Sequence, residues 1–428
     1  MNPEISEREK SHSSFAELAA EECIVLLKNE NILPLPLFAP IALLGSGADK
    51  TVKGGIGSGD VNNRQNITIY EGMAESGIQI TSRDWLDNYE HRYQEARLIW
   101  KEKILEEAKH VDNPFDAYAS NPFIMPEGRP VSEKDIEGAS AAVYVISRIS
   151  GEGKDRRLEK GDYYLSEREE EDILFLNSRQ VPIILLINAG GPVELTDILE
   201  KTQWIKGIFN ISQLGQEGGR AVARILLGEA VPSGKLTTTW AKKYADMPFA
   251  ENFSYLNGNL ELEEYKEGIY IGYRYFDSFG VKPLFPFGFG LSYTQFKYAD
   301  LKLSTENFND SITVSVSITN TGKVAGKEVV QLYLHAPAGK LDKPVNELKA
   351  FAKTKLLKPG ETQTLTWTLD PKSLASYDEE LSGWVAEAGN YVVNIGASST
   401  DIRISSGFNL EKPVVAELCH KALTPTRT

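Results

Sequence analysis

Val181-Pro182-Ile183-Ile184-Leu185-Leu186-Ile187-Asn188 is the stretch that decides the fold. A strand with one wet face alternates apolar and polar residues, but Ile183 to Ile187 offers water no face at all. Such a run fits a parallel strand covered on both sides. Gly190-Gly191-Pro192 breaks it. Upstream, Ser166 with Glu169 three residues on has the form of a capping box and predicts a helix to about Leu176. Before that helix, Ala141 to Ser147 is another apolar strand, and Ile41 to Leu44 a third that runs into Gly45-Ser46-Gly47. Downstream come a short helix, a strand around Ile205–Asn210 and a helix over Gly218 to Leu227. Strand and helix alternate, which predicts an α/β domain with a mainly parallel sheet, an α/β sandwich over about residues 1–245.

Phe15, Leu18, Ala19, Cys23, Leu26 and Leu27 recur at three- and four-residue steps. The spacing predicts one amphipathic helix, ended by Asn29-Glu30-Asn31, with Cys23 a small core residue. Leu33-Pro34-Leu35-Pro36 then reads as extended chain. Between about Trp85 and Pro130 the pattern weakens and aromatic and charged residues dominate, including Trp85, Tyr89, Trp100 and Phe123. This predicts a partly helical insertion, either a surface excursion or a substrate lid.

Residues 246–296 are rich in Gly, Pro and aromatics and read as an irregular connector. Its string Tyr270, Tyr273, Tyr275, Phe276 and Phe279 fits either sugar stacking or packing on the first domain. From about residue 297 the character changes. Ile312, Val314, Val316 and Ile318 alternate with Thr313, Ser315 and Ser317, a half-buried strand. Val329–Leu334, Thr362–Leu369 and Asn390–Ile395 are further strands, with turn signals at Asn320-Thr321-Gly322 and Lys358-Pro359-Gly360. The expectation over 297–410 is an all-β, immunoglobulin-like sandwich. Residues 411–428 lack a pattern and read as a tail or linker.

The chain has 428 residues and a net charge of -14. That charge repels a phosphate backbone or an anionic surface, which argues against nucleic-acid and membrane partners. The two cysteines, Cys23 and Cys419, do not make a disulfide framework. Met1-Asn2-Pro3-Glu4 carries no apolar leader, and no apolar run reaches the roughly 18 residues of a membrane span, so the expected location is cytoplasmic. The histidines lack metal-ligand spacing, and neither a metal nor a cofactor is expected. Gly54-Gly55-Ile56-Gly57-Ser58-Gly59 lacks the Gly-Lys-Ser/Thr ending of a phosphate loop, and no Gly-x-Ser-x-Gly elbow offers a serine nucleophile.

The richest candidate for chemistry is Ser147-Arg148-Ile149-Ser150-Gly151-Glu152-Gly153-Lys154-Asp155-Arg156, directly after a predicted strand. In open α/β sheets, functional groups gather outside the carboxyl ends of strands. Glu152 stands between two glycines, and a carboxyl group there could act as general acid if its surroundings raised its pKa. Arg148 and Arg156 are near enough to hold hydroxyls or carboxylates. The same residues also fit a solvated polar loop with local ion pairs.

Ser150-Gly151-Glu152-Gly153-x-Asp155-Arg156 followed by Lys160-Gly161-Asp162-Tyr163-Tyr164-Leu165-Ser166 resembles the acid/base loop of family 3 glycoside hydrolases of the β-glucosidase type. Ala19–Asn29 with Leu33-Pro34-Leu35, Lys53–Asn62, Gly215-Gln216-Glu217-Gly218-Gly219 and Pro232–Leu236 resemble further signatures of that family, in the same order. So do Tyr265–Tyr275, Phe287–Thr294, Ala325–Tyr333 and Lys358–Glu361. The resemblance implies that the second part is a fibronectin-III-like domain. It implies a retaining hydrolase in which Glu152 is the acid/base, supported by Arg148, Asp155 and Arg156, acting on a β-linked glucoside or xyloside. The family's nucleophile is an Asp on a (β/α)8 barrel, whose motifs are missing here. The barrel is therefore expected as a partner, in the same or a companion chain, and the chain alone is expected to be inactive. Members with the barrel placed last match a start at Met1 and a linker-like end. The family's N-acetylglucosaminidase branch, with its acid/base on the barrel, does not need the Glu152 loop. Self-association is expected where the barrel's docking face is uncovered. The competing reading is a non-catalytic carbohydrate-binding or structural module.

Overall fold

The computed structural model describes residues 4–59, 61–151, 156–253, 256, 258–259 and 261–420. The chain forms two compact units, Met1–Gly234 and Lys235–Thr428.

In the first unit the elements follow as α1 (Glu7–Cys23), β1 (Val25–Asn29), β2 (Ile41–Leu44), α2 (Ile69–Glu75), α3 (Arg83–Glu107), α4 (Pro114–Ser120) and α5 (Glu133–Ile136). They continue with β3 (Ala141–Ser147), α6 (Glu167–Ser178), β4 (Ile183–Asn188), α7 (Thr196–Lys201), β5 (Ile205–Asn210) and α8 (Gly218–Leu227). The sheet order is β1-β5-β4-β3-β2. Strands β2 to β5 run parallel and β1 is antiparallel to β5. Every residue of β3 and β4 is buried, as their unbroken apolar runs require. Ser166 caps α6, its hydroxyl accepting from Glu169 N while the Glu169 carboxylate accepts from Ser166 N.

The N-terminal helix departs from expectation. It ends at Cys23, and Ile24 turns the chain into β1, so Leu26 and Leu27 are strand residues. Ile24 to Leu27 are contiguous apolar residues, and pairing along β5 buries all four, whereas a helix would turn some of them outward. Cys23 is exposed rather than core, and Phe15 and Leu18 are 72% and 54% exposed. The insertion is anchored by the first turns of α3. There Trp85 and Tyr89 are buried, stack at 5.5 Å, and donate to the carbonyls of Arg129 and Pro126 at 3.0 and 3.1 Å.

The second unit carries a short helix α9 (Tyr273–Phe279) and then β6 (Phe296–Leu303), β7 (Ile312–Asn320), β8 (Val329–His335), β9 (Glu347–Lys353) and β10 (Thr362–Leu369). After α10 (Pro371–Leu374) come β11 (Ser376–Asp378), β12 (Gly383–Ala386), β13 (Gly389–Gly396), β14 (Ile402–Leu410) and β15 (Val414–Leu418). The sheets are β10-β7-β6, β14-β13-β8-β9 and β11-β12-β15, all antiparallel. Ile312, Val314, Val316 and Ile318 meet Tyr391, Val393 and Ile395 in one core.

One expectation is corrected here. The tail after Leu410 is not all linker: Val414–Leu418 pairs with Gly383–Ala386, and the ladder bonds, rather than deep burial, hold it. The aromatic connector, which fits sugar stacking or packing on the first domain, places Tyr273 and Phe276 against residues of the second unit. Tyr273 stacks on Phe287 at 4.7 Å, meets Tyr333 edge-on and accepts from Leu348 N at 2.8 Å, and Phe276 is buried.

Candidate active site

The carboxyl ends of β2, β3, β4 and β5 share one edge of the parallel sheet, so their loops meet there. After β2 the chain crosses β3 so closely that a side chain on Gly45 would overlap the Val145 carbonyl, and Gly45 has φ +92°. After β3 comes the loop that carries the sequence candidates. Ile56 of the glycine-rich segment donates to the Ser150 carbonyl at 3.1 Å and bridges to Gly151. Beside these loops lies a cavity of about 580 Å³. Its wall has an apolar part, with Trp85, Phe123 and Ile124, and an ionic part, with Arg148, Arg156 and Asp162.

Glu152 and Asp155 lie outside the described residues. Arg148 and Arg156, on either side of them in sequence, are described. Arg148 is 6% exposed and all five of its N–H groups are used. It grips Glu169 in bidentate fashion at 2.8 and 2.7 Å and donates to the carbonyls of Ser147, Asp162 and Tyr164. Burial alone would lower its pKa, but the Glu169 carboxylate outweighs that and raises it above the ordinary arginine value. No donor of Arg148 is left for a sugar hydroxyl, so of the two roles expected for it, binding or support, the geometry fits support. Arg156 pairs through Nε with the Asp162 carboxylate and donates through Nη2 to the Asp162 carbonyl at 2.7 Å. The other Asp162 oxygen accepts from Arg157 N at 2.7 Å. The Asp162 carbonyl thus receives a bond from each arginine.

Sequence reasoning missed Glu169 as a site residue, although it had placed that residue in the capping box. A polar N3 position otherwise faces water, and the second partner is 21 residues away in sequence. It also missed Asp172, one turn further along α6 on its buried side. Asp172 accepts from Val131 N at 3.0 Å and from the Tyr144 hydroxyl at 3.1 Å, and burial pushes its pKa up to about 6. Among the described residues no group of three His, Cys, Asp or Glu is placed to hold a metal ion.

Residues 24–293 match the model of the glycosyl hydrolase family 3 C-terminal domain. The chain belongs to glycoside hydrolase family 3. Residues 328–399 match the fibronectin type III-like domain. β-Glucosidase A of Butyrivibrio fibrisolvens is 36% identical over 99% of this chain and 54% of its own length. Thermostable β-glucosidase B of Acetivibrio thermocellus is 34% identical over 94% of this chain and 49% of its own. The structure of β-glucosidase 3B from Thermotoga neapolitana in complex with α-D-glucose superposes with a TM-score of 0.83 at 39% identity, covering 96% of this chain and 56% of that one. This family 3 chain therefore spans about half the length of the curated relatives it matches. No eight-stranded parallel barrel occurs among the described residues.

Proposed function

We propose that this chain supplies the general acid/base of a retaining β-glucosidase-type hydrolase, and that Glu152 is that acid. The observation that carries the reading is the convergence of Arg148 and Arg156 on the Asp162 carbonyl. It roots both ends of the Glu152 segment at the carboxyl edge of the sheet, beside the cavity. Residues 24–293 also match a family whose named relatives are β-glucosidases.

Retention requires two carboxyl groups about 5–5.5 Å apart. The second, an Asp nucleophile, comes in this proposal from a (β/α)8 barrel in the same or a companion chain. The protonated Glu152 gives its proton to the glycosidic oxygen as the C–O bond breaks, and the Asp carboxylate bonds to the anomeric carbon. Glu152, now ionised, takes a proton from water as that water's oxygen displaces the Asp. The substrate is a β-linked glucoside or xyloside.

The test is Glu152→Gln in the enzyme that contains both segments. Hydrolysis of glucosides with poor leaving groups should fall far more than that of activated aryl glucosides, since only the former need the proton. Equal losses for both would overturn the assignment. Turnover of an aryl β-glucoside by residues 1–428 alone would overturn the requirement for a second segment. Specific binding of an oligosaccharide by a chain with no catalytic partner would instead favour the non-catalytic module.

A further inference from the structure

We infer that Asn188 is a positioning residue that holds the root of the Glu152 loop, the glycine-rich segment and the loop after β5 as one body. The inference rests on the reading of Glu152 as the acid/base.

Asn188 is the last residue of β4 and is 1% exposed. Its carboxamide meets three different segments. Oδ1 accepts from Val52 N at 2.8 Å and from the Ser147 hydroxyl at 2.9 Å. Nδ2 donates to the carbonyls of Val52 at 2.9 Å and Ser212 at 2.7 Å. Both lone-pair positions and both amide hydrogens are therefore used, so the side chain has one orientation. Its backbone adds a fifth bond, since Arg148 N donates to the Asn188 carbonyl at 3.0 Å.

Each segment it holds touches another. Ile56 N reaches the Ser150 carbonyl at 3.1 Å, and Gly215 N reaches the Lys53 carbonyl at 2.9 Å. These backbone bonds join the three segments in a row along the sheet edge, and among the described residues Asn188 is the side chain that bonds to all three. Ser147 precedes Arg148, the start of the loop that carries Glu152. A general acid works only within hydrogen-bond reach of the oxygen it protonates. The Asn188 amide sets where that loop leaves the sheet relative to the glycine-rich segment. No residue of smaller capacity can do this. Asp presents lone pairs to the carbonyls of Val52 and Ser212, and Leu leaves every one of these buried groups without a partner.

The experiment compares wild type, Asn188→Leu, Asn188→Asp and Ser147→Ala by amide hydrogen exchange on the full chain. In Asn188→Leu the amides of Val52, Ile56 and Gly215 should exchange together, each faster by about tenfold or more, while those of Ile184–Ile187 keep their protection. Ser147→Ala removes only the side-chain tie to the root of the Glu152 loop, leaving the Arg148 N bond to the Asn188 carbonyl, and covers the case in which Asn188→Leu does not fold. It should speed exchange at Ile56 and leave Gly215 unchanged. In the enzyme that contains the nucleophile segment, Ser147→Ala and Asn188→Asp should steepen the dependence of kcat/KM on leaving-group pKa, which loss of stability alone would not do. Faster exchange confined to Val52, or an unchanged leaving-group dependence, overturns the inference. If the wild-type enzyme shows no glycosidase turnover, the glycosidase reading fails, and the exchange data still decide whether Asn188 couples the loops.

Discussion

Glu169→Gln tests the ionic wall of the site most directly. Glutamine keeps the length of the side chain and an oxygen for Ser166 N, so the cap of α6 survives. The charge is lost, and Arg148, 6% exposed, cannot shed its own proton. Its remaining partners are the carbonyls of Ser147, Asp162 and Tyr164, none of which carries a full charge. Breaking a buried pair by removing one partner costs about 3–5 kcal/mol. Because glutamine still offers one acceptor, the lower end applies, about 3 kcal/mol. For a unit of this size that lowers Tm by roughly 6–12 °C. Differential scanning calorimetry and urea unfolding followed by circular dichroism measure it, with the second unit's transition as the internal reference. The double variant Arg148→Met/Glu169→Leu removes both charges of the pair, and its loss should fall short of the sum of the single losses by about 2 kcal/mol or more. If Glu169→Gln lies within about 1 kcal/mol of wild type, or the singles simply add, the pair does not hold this loop.

Asp172→Asn should flatten the pH dependence of the first unit's stability. The folded carboxyl has a pKa of about 6 against an ordinary 3.8, so the native state holds the proton more tightly than the unfolded chain. The Asp172 contribution to stability therefore falls as pH rises from about 4 to 6, by up to about 3 kcal/mol, and the difference in Tm between wild type and variant, read at pH 4, 5, 6 and 8, should show this slope. Gly45→Ala forces a β-carbon into the Val145 carbonyl at φ +92°; the product should be largely insoluble, and soluble protein with native circular dichroism would contradict the close crossing. Asp162→Ala releases Arg156 Nε and Arg157 N but keeps the Asp162 carbonyl and its bond from Arg156 Nη2; limited trypsin digestion should cut faster after Arg156 than in wild type, and equal rates would refute the carboxylate's part in the clamp. Asn320→Leu in the second unit removes four side-chain bonds, to Thr294, Gly322, Val324 and Leu357, leaves the buried Thr294 hydroxyl without its acceptor, and should cost about 2 kcal/mol in chemical denaturation.

Local pattern decided much of this protein. The buried runs of β3 and β4, the Ser166–Glu169 cap and the alternation of β7 are written in neighbouring residues, because burial on both faces, capping and pleating each act over a few positions. Order of motifs also sufficed to place the chain in family 3. Ile24–Leu27 shows where such reading stops: four contiguous apolar residues satisfy a helix or a strand, and only the available edge of β5 chose between them. Val414–Leu418 had no pattern of its own because its ladder partner, 383–386, lies some thirty residues back.

The candidate site divides in the same way. Arg148 and Arg156 were visible beside Glu152 as residue types, but their partners Glu169 and Asp162 were not, and neither was the use of every Arg148 donor. Asn188 looked like the polar end of a strand, and its four bonds reach across 136, 41 and 24 residues of sequence. Sequence determined which chemical groups stand near the sheet edge, because chain connectivity and strand burial bring them there. Tertiary structure decided which of those groups are already engaged, because hydrogen bonds and ion pairs depend on distance in space and are indifferent to distance along the chain.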